Sequence, residues 1–271
     1  NSEQFLHFFG RLSSGFAKIV PNWQKIARCF TKPAAHGMMR AGKSAGGTRV
    51  QWAERARAYV RMHGAGYTLR RAGEMLAARV LLRDEWRFRR EKASKRELAV
   101  QRAHPFPNVR ISVVVPVFNT RPKFLRALAD SLLAQTHGAW EACLYDGGST
   151  SAETRKALEA IAARDSRFHV AYGVENAGIS GNTNRAIKMA TGEYIALCDH
   201  DDVLAPDALW RIAEAIDAHH PDVLYTDEDK LTAHGAIHVD AHRKPDFCPD
   251  NLRSGNYICH LSVIRRTLLD A

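Results

Sequence analysis

From residue 108 onward, short apolar runs rich in β-branched residues alternate with longer segments whose apolar positions recur at helical spacing. "RISVVVPVFN" has the length and composition of a buried strand. "PKFLRALADSLLAQT" follows, with Phe124, Leu125, Leu128, Leu132 and Leu133 forming one helical stripe. "WEACLYDGGST" predicts a second strand ending in glycine-rich turn residues, and "SAETRKALEAIAAR" a helix with Ser151 as its N-cap. The strand "FHVAYG", the helix "SGNTNRAIKMA" and the strand "EYIALC" come next. The helix "PDALWRIAEAIDAH", with Pro206 near its first turn, and the strand "DVLYTD" complete the series. Alternation at this spacing predicts an α/β domain built on a mostly parallel sheet flanked by helices.

Before residue 108 the pattern differs. "WAERARAYVRM" and "RRAGEMLAARVLLRDEWRFRREKASKRELAV" are rich in Ala, Leu, Arg and Glu, all strong helix formers. Met75, Val80, Leu82 and Trp86 recur among the arginines at roughly helical spacing. Residues 1–50 are Gly-, Ser- and Lys-rich with weak periodicity, which predicts loose or partly helical chain. The prolines of "HPFPN" at 104–108 end this region, because proline cannot continue a helix. The expected domains are a basic, mostly helical extension over 1–107 and the α/β domain over 108–271. The chain starts at Asn1 and stops within the helix-like "RRTLLDA", so the second domain is expected to be truncated at its C-terminus.

Charge sharpens the division. The net charge of +10 hides 22 Lys and Arg against 7 acids in residues 1–107, and 17 against 22 in the remainder. A basic block joined to a mildly acidic one implies two parts with different partners. Arginines on an Ala/Leu helix usually form a solvated face; the functional alternatives are an anionic membrane surface or another domain. No aromatic-interleaved motif supports nucleic-acid binding, and none is expected. The five cysteines are scattered without a C-x-x-C pair, which fits a reducing compartment better than a disulfide framework or a zinc site. No stretch approaches the ~20 apolar residues of a membrane span. "FLHFFGRLSSGFAKIV" is too short for one and has neither a basic n-region nor a cleavage site. The expected location is the cytoplasm, with peripheral contact to the inner face of the membrane through the basic region.

In an open α/β sheet, ligands sit beyond the carboxyl ends of the strands. Here those ends are polar one after another. They read Pro116-Val117-Phe118-Asn119, Asp146-Gly147-Gly148-Ser149, the run "ENAGISGNTN", Asp199-His200-Asp201-Asp202, and Asp227-Glu228-Asp229-Lys230. Clustered carboxylates at a half-buried rim need a neutralising cation. Hard oxygen ligands suit Mg²⁺ or Mn²⁺, which commonly bridge one or two carboxylates to substrate phosphates. An isolated D-x-D-D would more ordinarily be a solvated turn, with Asp202 supplying negative charge to a helix N-terminus. Its alignment with four other polar strand ends favours the metal.

The motifs "ISVVVPVFN", "LYDGGST", "ENAGISGNTNRAIKMATGEYIALCDHDDVLAPDAL" and "DVLYTDEDK" resemble glycosyltransferase family 2, enzymes of the GT-A fold that use nucleotide sugars. "DHDD", "DEDK", "KPDF" and "GNYICHL" look like the branch assigned to O-antigen and other surface polysaccharides. The resemblance covers about residues 108–271 and leaves 1–107 aside. It implies an inverting, metal-dependent transferase with a nucleotide-sugar donor, a saccharide or lipid-linked acceptor, and Mn²⁺ or Mg²⁺ as cofactor. By the same resemblance Pro116, Val117, Phe118 and Asn119 form the first nucleotide loop, and Asp146 contacts the base. Gly178 and Asn184 belong to the loop that closes over the nucleotide. An Arg common in that loop is Thr183 here. Asp199 and Asp201 match the metal-binding D-x-D, with Asp201 the direct ligand and Asp199 nearer the ribose or sugar. His200 joins the donor site; Asp202, Asp227 and Asp229 line the sugar pocket or support it. The general base of the family lies beyond the equivalent of Ala271, so the catalytic residue is unassigned and this chain is expected to transfer sugar poorly.

Other motifs read as coincidence. "GMMRAGKS" at 37–44 fits the P-loop spacing, yet no β-branched run precedes it and no helix-forming run follows. His234, His238 and His242 would share a helix face, but the Gly and Pro around them predict a loop or short strand. Two further classes remain open: a nucleotide hydrolase using Lys43, and a non-catalytic binding or scaffold fragment.

Overall fold

The computed structural model describes residues 17–20, 57, 60–62, 64–70, 88, 91–232 and 237–269. The P-loop-like segment 37–44, the stripe from Met75 to Trp86 and His234 lie outside the described residues. The chain divides into two compact units. Unit 1 takes residues 1–29, 91–228 and 242–271; unit 2 takes 30–90 and 229–241.

The strands are β1 (Ala17–Val20), β2 (Ile111–Val117), β3 (Trp140–Asp146), β4 (Phe168–Tyr172), β5 (Tyr194–Leu197), β6 (Val223–Thr226), β7 (Glu228–Leu231), β8 (His238–His242) and β9 (Ser262–Arg265). The helices are α1 (Lys95–Ala103), α2 (Pro122–Leu133), α3 (Ala152–Ala162), α4 (Gly178–Ile187), α5 (Ala208–His219) and α6 (Pro249–Ser254). Seven strands form one sheet in the order β1-β6-β9-β5-β2-β3-β4, while β7 and β8 pair separately. β2 runs parallel to β3 and β5, and β3 parallel to β4. β9 is antiparallel to both β5 and β6, so β6 points the same way as the parallel set. The expected mostly parallel α/β sheet is therefore present.

The β2 run reads as continuously apolar because both faces of the strand are covered. Ile111, Val113, Val115 and Val117 pack in one core with Leu125, Leu128 and Leu132 of α2, Leu158 and Ile161 of α3, and Ile212 and Ile216 of α5. Val114 faces the other way, against Cys143, Ile195, and Ala186 and Ala190 at α4. Ser151 caps α3 as expected, its hydroxyl accepting from the Thr154 N–H at 3.3 Å.

One feature differs from the sequence reading. Within the stretch expected to be loose or partly helical, Ala17–Val20 forms β1, pairing antiparallel with β6 through the full length of both strands. α1, before Pro105 and Pro107, lies in unit 1 with the sheet. The buried Gln101 side chain accepts from the Thr136 hydroxyl at 2.9 Å, and the Trp210 indole donates to the His104 carbonyl at 3.0 Å. The start of α1 is written in Ser94-x-x-Glu97. The Ser94 hydroxyl accepts from the Glu97 N–H at 3.2 Å, and the Glu97 carboxylate accepts from the Ser94 N–H at 2.6 Å.

At the edge where the parallel strands begin, Glu141 is buried and gathers donors from two segments, 110–112 and 191–192. The Ser112 hydroxyl donates at 2.5 Å, the Thr191 N–H at 2.6 Å, the Gly192 N–H at 3.1 Å and the half-exposed Arg110 guanidinium at 3.1 Å. Burial alone would raise the Glu141 carboxyl, but hydrogen bonds from Ser112 and Thr191 hold it below its usual value. No helix among the described residues is long and apolar enough to cross a membrane.

Candidate functional site

The carboxyl ends of β2, β3, β4, β5 and β6 share one rim, and the loops that follow them are tied to one another. Asn119, at φ 48°, ends the loop after β2. Its N–H donates to the Ser149 hydroxyl at 2.8 Å, and its side-chain oxygen accepts from Thr150 N–H at 2.9 Å and Ser151 N–H at 3.1 Å. Asparagine tolerates this left-handed conformation better than most residues. Pro116 is half-buried and Val117 buried, while Phe118 is exposed on the rim. Asp146 is fully buried. Its carboxylate accepts from the Ser149 N–H at 3.1 Å and from the Ser149 hydroxyl, with Arg155 Nε 3.9 Å away.

The glycines after Asp146 are there for space. A Cβ on Gly147 would fall 2.3 Å from Asn182 Nδ2, and one on Gly148 would lie 3.1 Å from the backbone of Val174 and Glu175. Gly148 also holds φ at +77°, which L side chains rarely adopt. Gly148→Ala is therefore expected to destabilise the protein by about 1–3 kcal/mol, since strain and contact act together. Urea melts measure that loss, and an unchanged midpoint would remove the steric argument.

Asn182 was not among the residues singled out from the sequence, yet it organises the loop before α4. Its side-chain amide donates to Asn176 Oδ1 at 2.8 Å, and its oxygen accepts from the Ala177 N–H at 3.3 Å. The exposed Asn184, two residues on, was the expected contributor; Gly178, at φ +73°, receives its turn from Asn176 at 3.0 Å. The signal for Asn182 is its register on the helix, which turns it inward against Gly147.

The acidic turn after β5 is half-buried throughout. Among the described residues one group of three can hold a metal ion: Asp199, Asp202 and His260, each offering an atom within 4.8 Å of the others. Asp201, the other member of the D-x-D, is not in that group, nor is His200, whose Nδ1 is buried without a hydrogen-bond partner. His260 Nε2 lies 3.3 Å from Asp199 Oδ2. The hydrogen bond to Asp199, opposed by burial, pushes the His260 imidazole up to about 9. The two carboxylates suit Mg²⁺ or Mn²⁺, and the imidazole can join them as a ligand once an ion displaces its proton. The residues present thus fit a divalent ion.

His260 escapes a search of strand ends because it precedes a strand. β9 is antiparallel, so its beginning reaches the rim where β5 and β6 finish. Asp227 is also at this corner. Its carboxylate accepts from the Lys244 N–H at 2.9 Å and lies 3.5 Å from Arg243. Asp229 belongs to unit 2, where it pairs with His238 at 2.8 Å.

The family described as Glycosyl transferase family 2 matches residues 112–269. The curated proteins similar to this chain include two from bacteria. Uncharacterized protein y4gI of Sinorhizobium fredii is 47% identical over 161 residues, covering 59% of this chain and 18% of that protein. O-antigen biosynthesis protein RfbC of Myxococcus xanthus is 36% identical over 166 residues, 59% of this chain and 12% of that protein. The chain thus spans less than a fifth of either relative. Among solved structures, S. aureus TarS 1-349 in complex with UDP-GlcNAc is 27% identical with a TM-score of 0.49, over 60% of this chain and 47% of that chain.

Proposed function

The chain belongs to glycosyl transferase family 2, and we propose from that premise that its α/β domain binds a nucleotide-activated sugar together with a divalent ion and presents it for transfer. The observation that carries this reading is the meeting of Asp199, Asp202 and His260 at the rim, beside the interlocked loops after β2 and β3. Asp199 is common to the D-x-D spacing and to the observed group. Asp201 is the ligand supplied by the motif, and Asp202 and His260 those supplied by geometry.

Pro116, Val117, Phe118 and Asn119 border the base and ribose. Asp146 shapes that pocket through the turn it holds, and Gly178 and Asn184 lie along the nucleotide's phosphate side. His200 and Asp227 face the sugar side. The ion, Mn²⁺ or Mg²⁺, supplies Lewis acidity to the departing diphosphate. Transfer proceeds with inversion, to a saccharide or lipid-linked acceptor in surface-polysaccharide assembly; the printed name of the Myxococcus relative supports that setting. The basic residues of 1–107 favour a peripheral position at the cytoplasmic face of an anionic membrane.

A thermal-shift panel of UDP-, GDP-, dTDP- and CMP-sugars, each with and without Mn²⁺, tests the reading. At least one donor is expected to raise the melting temperature only when Mn²⁺ is present, because a ligand at 100 times its Kd stabilises the native state by about 2.7 kcal/mol. Lys43→Ala is expected to leave that shift unchanged. A panel with no metal-dependent response overturns the proposal.

A further inference from the structure

Lys244 is 1% exposed, an unusual place for an ammonium group. Its Nζ donates to the Ile258 carbonyl at 2.6 Å and to the His260 carbonyl, and lies 3.5 Å from Glu228 Oε2. That same Glu228 oxygen accepts from the His260 N–H at 3.3 Å, while the other faces His242 Nδ1 at 3.1 Å. Lysine and glutamate thus grip one short backbone segment from its two kinds of polar group. Between the two gripped carbonyls, Cys259 sits at φ 42°, a conformation costly for a residue with a side chain. The Asn256 side-chain oxygen supports the same turn, accepting from Ile258 N–H at 3.2 Å and Cys259 N–H at 3.3 Å.

A methionine would fill the volume of Lys244 without the cost of burying a charge, and such replacements of buried charges are often neutral or stabilising. Stability alone therefore gives little reason for an ammonium here. What methionine could not do is bind two carbonyls and a carboxylate at once. The segment so held delivers the His260 ring to Asp199 at 3.3 Å, with its Nδ1 3.5 Å from the Leu197 carbonyl at the end of β5. The sequence brings these parts from "DEDK", "RKPDF" and "GNYICHL", in which Glu228 and Lys244 have no role in the donor site described above.

We propose that Lys244 is a positioning residue: with Glu228 it sets the 258–260 backbone so that His260 is presented to the ion site at Asp199, and it affects ion binding only through His260. This rests on the donor-site reading above.

Mn²⁺ alone, titrated into the full 271-residue chain and followed by electron paramagnetic resonance, tests it. Lys244→Met and His260→Gln are each expected to weaken Mn²⁺ binding by about 10-fold or more, the usual cost of losing support for a metal ligand. The double variant is expected to bind no worse than His260→Gln. The nitrogen modulation that an imidazole imprints on bound Mn²⁺ is expected in the wild type and lost in both single variants. Should Lys244→Met fail to fold, Glu228→Gln, at a half-buried position, carries the same test with the same non-additivity. Wild-type affinity in a folded Lys244 or Glu228 variant overturns the proposal, as do losses that multiply in the double variant. Failure of the wild type to bind Mn²⁺ overturns the donor-site reading first, and this inference with it.

Discussion

Asp199→Asn is expected to weaken Mn²⁺ binding by more than about 100-fold, since loss of an outer partner alone commonly costs 10–100-fold. The same change should remove the Mn²⁺-dependent thermal shift of any donor that gives one. Asparagine keeps the shape and loses the charge, so the turn after β5 should persist. Asp199 is the acid named by both the D-x-D spacing and the observed group, which is why its removal is expected to exceed the loss of either neighbour. Asp201→Asn and Asp202→Asn are each expected to cost about 10-fold, and the larger of the two identifies the second carboxylate on the ion. Isothermal titration with Mn²⁺ in the presence and absence of UDP measures all three. Retention of wild-type affinity by Asp199→Asn would remove the ion from this corner altogether.

Glu141→Leu is expected to destabilise the protein by about 3 kcal/mol while leaving nucleotide binding intact in whatever remains folded. The carboxylate accepts from the part-buried N–H of Thr191, the buried N–H of Gly192 and the buried Ser112 hydroxyl. An orphaned buried donor costs about 1–3 kcal/mol, and leucine would leave the Thr191 N–H and the Ser112 and Thr191 hydroxyls without this acceptor, while the Gly192 N–H keeps its 2.8 Å bond to Ser112 Oγ. For a domain of this size the melting temperature should fall by roughly 6–12 °C. Glu141 stands at the start of β3, at the opposite edge of the sheet from the rim, so affinity and stability should part company. A melting temperature within a degree of wild type would show that water or neighbouring groups replace the carboxylate.

The strands and helices of residues 108–219 were legible because their signals are local. β-branched runs covered on both faces, and stripes such as Leu125, Leu128 and Leu132, report burial directly in the order of residues. The polar strand ends were legible for the same reason, because a parallel sheet sends every carboxyl end to one rim. What escaped were relations between distant segments. His260 could not be placed at the rim without knowing that β9 runs backwards between β5 and β6. Asn182 was passed over for Asn184, since both are amides in one run and only the helical register separates them. Asp146 reads as one of the polar strand ends at the rim, and its burial through the turn to Ser149 is not visible in the order of residues. The capping box at Ser94 lay inside what reads as an unbroken helical stretch, and β1 depends wholly on a partner some two hundred residues away.

The position of β9 has a consequence for biosynthesis. A ribosome releases β5 and β6 well before residues 262–265, and each must wait with one side of its backbone unsatisfied until β9 slides between them. Nascent chains halted short of Ser262 would carry two open edges suited to pairing with other molecules, so chains expressed without β9 should collect in inclusion bodies.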